Sequence, residues 1–542
     1  MNNVMKYQVA LDKLAEVNPL LEKESQEELK AKSEEFMDDV RESQYVKVPI
    51  VGVFNAGKSS LINVFAQKPG MLPVDTTPET AVAYELYYAN NECIELYRNG
   101  KMIDSKPLSE IKMLNTEPGD IAKVYCESEP IKELQQKGII IVDMPGIGSG
   151  IERHDAAIFN YIGKGSAFVL VVEAEQGSLR GSTLAFMHEL GQYNMHPAVF
   201  VSKTDKKPEK EVKEIMEYVR YQLTNIGDTN PFVGTVCSVN NDTNGLNKYL
   251  DSIDPVAIAR EKLGNKLRLL INSVIRQIQI RVDLRSKDIS NIDEKIKKIE
   301  EEISNVKAES PASDADADTV EKSTQDVLDN VHAALEAKAT DIAQMIIDKE
   351  DSESIKSAII SIVRAEIITS LKEESEQYSN VIGNAIQEEI KDMETIEVDA
   401  DFLGDYADII NWVSAIVGQF MNFGGIWGKL AKILLPLLPD VLNWLFRKSD
   451  DDVLEEVRSN ILTNCIDKIT DAIRPAILKI TEENQKRIRE KMQAELISNM
   501  EKVKEGLREK MADANKSKGD VEVEISRLTN AISQLNSIMS EI

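Results

Sequence analysis

Val48 to Ser60 reads VPIVGVFNAGKSS, and the fold of the first half of the chain follows from it. The stretch holds Gly52-x-x-x-x-Gly57-Lys58-Ser59, the full phosphate-loop pattern. Ahead of it, Val46 to Phe54 is a short, mostly apolar run suited to a buried strand. Behind it, Ser60-Leu61-Ile62-Asn63-Val64-Phe65 opens a helical pattern. Strand, glycine loop and helix in that order aim the backbone N–H groups of Asn55, Ala56, Gly57, Lys58 and Ser59 into one concavity, with Ser60 beside them. Gly52 and Gly57 let the backbone approach a ligand closely. Lys58 brings a mobile cation to the outer phosphates, and the Ser59 hydroxyl suits magnesium.

Outward from this loop, residues 46–254 alternate strand and helix signals. Val82–Tyr88, Cys93–Tyr97, Ile139–Asp143, Phe168–Val172, Ala198–Val201 and Val233–Val236 read as strands. The expected fold is α/β, a mostly parallel sheet with helices on both faces. Further motifs fall at its loops. Thr77-Pro78-Glu79-Thr80-Ala81 follows the first helix. Asp143-Met144-Pro145-Gly146 closes the strand GIIIVD, where the carboxylate can meet magnesium through water and the Gly146 N–H a terminal phosphate. Ser202-Lys203-Thr204-Asp205 follows AVFV, and a carboxylate there accepts both the ring N–H and the exocyclic amine of guanine. Cys237-Ser238-Val239-Asn240 follows the next strand and is placed to support the base from its other side.

In this order, the four motifs resemble a GTPase of the dynamin superfamily, and VGVFNAGKSSLIN is similar to the bacterial dynamin-like proteins. The motif likeness covers about residues 46–240. It implies that Gly52, Asn55, Ala56, Gly57, Lys58, Ser59 and Ser60 bind the phosphates of GTP or GDP. It implies Ser59, Thr80 and Asp143 for Mg2+, with Thr80 in a first switch and Asp143 and Gly146 in a second. Lys203, Asp205 and Ser238 would hold guanine. The resemblance further implies hydrolysis by water attack, self-association through the GTPase head, peripheral membrane work from the cytoplasm, and a link to vesicle-linked secretion. Departures stand at Phe54, where eukaryotic dynamins carry a glutamine thought to position water, at Asn55, at Ile147 after DMPG, and at Ser202 before Lys203. Binding is thus better supported than turnover. A regulatory or scaffold protein that binds nucleotide and acts on a protein partner is the alternative.

The 542 residues carry a net charge of −28, which argues against nucleic acid as a partner and makes any membrane contact local and hydrophobic. With 29% charged and 5% aromatic residues, long charged-faced helices are expected for the rest. Cys93, Cys126, Cys237 and Cys465 lack metal-ligand spacing and read as reduced thiols in a cytosolic protein. His154, His188, His196 and His332 do not cluster. The N-terminus shows no secretory signal pattern.

Residues 1–45 read as helix that packs on later helices. From Pro255 the pattern is helical, as one long element to about residue 310, with an acidic linker at 309–319. Residues 255–400 form a neck or stalk, and 449–542 return along it, with a kink at Pro475. Ile289, Ile292, Ile296, Ile299 and Ile303 form a heptad stripe, as do Val521, Ile525, Leu528, Ile532, Leu535, Met539 and Ile542. The two invite antiparallel pairing, although each would equally suit a larger bundle. Between the helices lies 401–448, which holds Trp412, Trp427 and Trp444 and an uncharged run from Ile409 to Gly428. A hairpin turning at Gly424-Gly425, with Phe423, Ile426 and the three tryptophans at the interface, would bind lipid through 409–446. A buried core hairpin is the plainer alternative.

Overall fold

The computed structural model describes residues 3–21, 23–52, 55–74, 82–98, 100–117, 120–146, 167–192, 195–286, 291–308, 317–392, 454–514 and 516–541. Thr80, Phe54, Ile147, residues 309–316 of the acidic linker and the whole tip segment 401–448 lie outside them, and the last linker residues, 317–319, open a helix.

The phosphate-loop strand is an interior strand, sixth in a nine-stranded sheet ordered β4-β3-β5-β2-β6-β1-β7-β8-β9. The strands are β1 Val46–Gly52, β2 Ala83–Tyr88, β3 Cys93–Arg98, β4 Lys101–Pro107, β5 Ile121–Cys126, β6 Ile139–Asp143, β7 Val169–Glu173, β8 Ala198–Ser202 and β9 Val233–Thr235. From β6 to β9 across the sheet every pairing is parallel. On the other side β2 runs antiparallel to β6, and β3 antiparallel to both β5 and β4. The fold is the mostly parallel α/β class expected.

Strands β4 and β5 were not expected from the sequence. KMIDSKP is polar and largely exposed on the sheet's outer edge, so it lacks a hydrophobic stripe. IAKVYC buries only small alternating groups, Ala122, Val124 and Cys126.

Helices cover both faces. Helices α3 (Lys58–Phe65), α4 (Glu129–Lys137) and α7 (Asn244–Ser252) pack on one, through Leu61, Ile62, Ile131, Leu134, Leu246 and Leu250. Helices α5 (Gly181–Gln192) and α6 (Glu209–Asn225) pack on the other, through Phe186, Met187, Leu190, Val219 and Leu223. The strands alternate between these cores, Ile50 facing one and Val51 the other. This unit is the head.

The remaining described elements are helices: α1 Asn3–Val17, α2 Lys23–Glu42, α8 Pro255–Ser286, α9 Ile292–Ala308, α10 Ala317–Ile347, α11 Ser352–Asp392, α12 Leu454–Asn464, α13 Ile466–Asp513 and α14 Lys518–Glu541. They form three apolar clusters. Helices α1 and α2 pack with α8 and α14 around Leu14, Phe36, Leu267, Ile271 and Leu535. Helix α9 packs with the C-terminal halves of α8 and α13 around Ile299, Leu284 and Leu507. Helices α10, α11, α12 and the start of α13 form the third cluster. Helix α13 therefore serves two clusters, and Pro475 lies inside it without ending it.

Two expectations are corrected. The helical run from Pro255 is not one element: a helix stops at Ser286 and a new one starts at Ile292, directly after Asn291, whose left-handed φ of 54° lies outside the α-helix. Among the described residues, the two heptad stripes bury in different clusters. Ile296, Ile299 and Ile303 pack against α13 and the end of α8, whereas Leu528, Ala531 and Leu535 pack against the N-terminal helices and the start of α8. Each stripe found a larger bundle, because a stripe specifies burial but not a partner.

Candidate functional site

The C-terminal ends of β1, β6, β8 and the loop after β9 converge on one edge of the head, where α/β sheets place ligands. At the end of β1, Gly52 packs against β7. A Cβ there would come 2.4 Å from the Val171 carbonyl oxygen, so glycine is required by strand packing. Asn55 and Gly57 take left-handed φ values of 65° and 87°, which turn successive N–H groups inward as a nest. A Cβ on Gly57 would meet nothing within 4 Å, so the space beyond it is open. Gly57 caps α3, and helix polarity adds to the positive field there.

Lys58 is buried at the start of α3 and its ammonium donates to the Gly52 carbonyl at 3.1 Å. Burial pulls its pKa down, against the pull of Asp143. The Ser59 hydroxyl donates to Asp143 Oδ2 at 2.6 Å, joining residues 84 apart in sequence. Asp143 Oδ1 is buried with no hydrogen-bond partner. Burial pushes this carboxyl up to about 6, although Ser59 and Lys58 both favour its charged form. A buried, half-satisfied carboxylate beside a serine hydroxyl is an oxygen donor set that fits a hard divalent cation such as magnesium. Among the described residues no group of three or more His, Cys, Asp or Glu side chains forms a metal cluster. Gly146 is buried just past Asp143, after Met144, whose N–H is bonded to the Ile50 carbonyl at 3.3 Å.

The other end of the edge is tied to the loop. The Ser202 hydroxyl reaches the Ala56 carbonyl at 2.8 Å and the Val172 carbonyl at 3.1 Å. This links β8 to the phosphate loop, a contact the Ser202 departure had not suggested. Lys203 takes φ 54° and pairs with Glu173 at 2.9 Å. Asp205 is exposed, and the Cys237 thiol donates to its Oδ1 at 3.2 Å. Ser238 follows in the turn closed by the Cys237–Asp242 bridge. Glu173 was not legible as a site residue, and Cys237 was legible only as the first residue of the motif after β9, because the likeness of the motifs marks the groups that face a base and not those behind them.

A family model for the dynamin family matches residues 48–205. Residues 48–205 of the head are thus similar to the dynamin family. Curated relatives of the chain include an uncharacterized protein in the xynA 3′ region of Caldicellulosiruptor sp., 26% identical over 191 residues, which are 34% of this chain and 47% of that protein. Another is Dynamin-like protein 1 of Campylobacter jejuni, 21% identical over 237 residues, 36% of this chain and 32% of that protein. The chain thus matches less than half the length of either. Among solved structures, one chain of an oligomerised bacterial dynamin pair aligns over 94% of this chain and 91% of its own, at 13% identity and a TM-score of 0.32. Another aligns over 99% and 82%, at 17% identity and 0.34. Within the head, the described residues bring Gly52, Asn55, Ala56, Gly57, Lys58, Ser59, Ser60, Asp143, Gly146, Lys203, Asp205 and Ser238 to one edge. Thr80 and the membrane candidates Trp412, Phe423, Ile426, Trp427 and Trp444 lie outside the described residues. No helix among the described residues is long and apolar enough to cross a membrane.

Proposed function

We propose that the chain binds GTP with Mg2+ at the β1–β6–β8 edge, hydrolyses it by attack of water, and couples that cycle to membrane binding or remodelling. The observation that carries the reading is the Ser59–Asp143 pair beside Lys58, with a buried carboxylate oxygen left over. The N–H groups of the Asn55–Ser59 nest would hold phosphate oxygens, and Lys58 would exchange the Gly52 carbonyl for a phosphate. Ser59 and Asp143 would hold magnesium, with Thr80 from the first switch, and the ion would neutralise charge on the transferring phosphate. Asp205 would read the guanine edge, with Lys203 along the base and Ser238 behind it. Residues 46–254 would act as the GTPase unit, 255–400 and 449–542 as stalk, and 401–448 as the lipid-binding tip. The head would self-associate, and the chain would sit in the cytoplasm, peripheral to membrane. Vesicle-linked secretion is the setting the resemblance suggests.

A second reading is favoured by Phe54 and Ile147, which put no water-positioning side chain beside the phosphate loop or after DMPG. It makes the chain a nucleotide-binding regulator or scaffold for a protein partner. Turnover of GTP with magnesium, measured with and without liposomes, separates the two. The first reading expects stimulated release of phosphate and sedimentation with lipid. Tight GTP binding with no turnover under either condition supports the second.

A further inference from the structure

One of the two described helices on the head's second face, α5, also lies along α11 of the helical region. Most of its large apolar side chains turn inward. Phe186, Met187 and Leu190 belong to the head's core, and Ala185 is the α5 residue packed on the helical core. What α5 offers to α11 is mainly polar. Glu189 is fully buried and meets Arg364 in a two-pronged pair, Nε to Oε1 at 2.7 Å and Nη2 to Oε2 at 3.1 Å. At the start of α5, Glu350 from the α10–α11 turn accepts the Gly181 N–H at 3.1 Å and the Ser182 hydroxyl at 3.3 Å. The helical region thereby supplies the negative charge that the N-terminus of α5 favours. Gly181 packs closely on Met345, since a Cβ there would fall 2.5 Å from Met345 Cγ unless that side chain moved.

A permanent junction is cheapest when apolar, because a buried ion pair barely repays its desolvation. An ion pair has one advantage over an apolar contact: both halves are well solvated once apart. Helix α5 also connects β7 to β8, and β8 ends at the Ser202 that is bonded to the phosphate loop.

We propose that the α5–α11 contact is a latch, closed by Glu189–Arg364 and Glu350, which opens with both halves folded and restrains the head while closed. The distance arm of the test is independent of nucleotide. Nitroxides are placed at Lys210→Cys on α6 and Lys479→Cys on α13, in a Cys93→Ser background. The wild type should give one short, narrow distance distribution. Glu189→Arg should shift most of the population to longer, broader distances, and Glu189→Arg with Arg364→Glu should restore the short one. Glu350→Ala, at the rim, should give a smaller open fraction and serves if Glu189→Arg fails to fold. Unchanged distances in both variants overturn the latch. So does loss of the helix signal of both halves in a single step in both variants, with no folded, separated state.

The restraint is tested by a lock. In Gly181→Cys with Met345→Cys the second thiol takes the place of the contacting Cγ, so oxidation should cross-link the closed state. GTP turnover of the oxidised protein should be at least fivefold below that of the same sample after reduction, and equal turnover overturns the restraint. This arm rests on the GTPase reading. If the wild type neither binds nor turns over GTP, that reading fails, and the distance measurements alone decide the latch.

Discussion

Asp143 and Glu189 are both carboxylates buried in the head, and they are buried to opposite effect. Glu189, at the joint, has both oxygens engaged by one guanidinium. Asp143, at the nucleotide edge, has one oxygen on a serine and the other on nothing, and its carboxyl is pushed up to about 6 by burial. A buried charge with its partner is structure. A buried charge lacking part of its shell is a place where free energy is held against the arrival of a ligand.

The strongest way to sharpen this contrast is at the nucleotide edge. Lys58→Ala should lower GTP affinity by roughly a thousandfold, about 4 kcal/mol, because the buried lysine cation at the start of α3 is the positive group that meets the phosphates inside the loop's concavity. Calorimetry would read it, with the circular dichroism of the variant unchanged. An unaltered affinity would remove the phosphate site from this loop.

At the joint the same kind of deletion should cost stability instead. Glu189→Gln leaves Arg364 facing a neutral amide, and removal of one partner of a buried pair costs about 3 kcal/mol. Urea denaturation should show a lower first midpoint with nucleotide affinity unchanged to within a factor of about two. A variant as stable as the wild type would mean that the pair is not the closing element.

The third test reverses the sign. Asp143 has a folded-state value of about 6 against an ordinary 3.8, so the folded protein holds a proton that the unfolded chain releases. Its contribution is therefore neutral below about pH 4 and grows unfavourable as pH rises to 6, reaching on the order of 2–3 kcal/mol. Without nucleotide, Asp143→Asn should be more stable than wild type at pH 7 and equal to it near pH 4. Magnesium-dependent GTP binding should be lost in the same variant. Thermal unfolding across that pH range checks it, and a variant less stable at pH 7 would show that Asp143 is satisfied after all.

These contrasts explain what could be read from the sequence. The Ser59–Asp143 pair was legible across 84 positions because each residue sits in a local motif whose backbone dictates its place. Glu189 and Arg364 sit 175 positions apart in helices whose sequences carry many such charges, and nothing local tells a paired one from a solvated one. The isoleucine stripe of α9 announced burial at 3.5-residue spacing, yet α13 and α14 offered equally good partners, and the periodicity does not choose between them. The outer strands were missed for a related reason. Lys101–Pro107 is held by backbone pairing to β3 at an edge, which needs no apolar pattern. The mostly parallel core of the sheet was legible because each strand there is buried on both faces and reads as a continuous apolar run, as in IIIVD and VLVVE.

The smallest effect lies behind the guanine-reading carboxylate. The Cys237 thiol donates to Asp205 Oδ1 at 3.2 Å from a fully buried position. Oδ1 keeps a lone pair for a ligand, so the thiol does not compete with a base but fixes the plane of the carboxylate. Bidentate pairing with guanine needs that plane, and adenine gains nothing from it. Cys237→Val, slightly larger than the thiol, removes the donor, which should cost one ordinary hydrogen bond, about 1 kcal/mol, or roughly fivefold. Cys237→Ser should restore the preference, since a hydroxyl donates at least as well. The quantity to measure is the ratio of GTP to ATP affinity, which a loss of packing alone would leave alone. If Val lowers affinity for both nucleotides equally, Cys237 is only a packing residue, and Asp205 is oriented by the turn at Lys203 instead. If the ratio falls with Val and recovers with Ser, the guanine edge, like the joint, depends on a carboxylate held by a partner, and Asp143 remains the one left waiting.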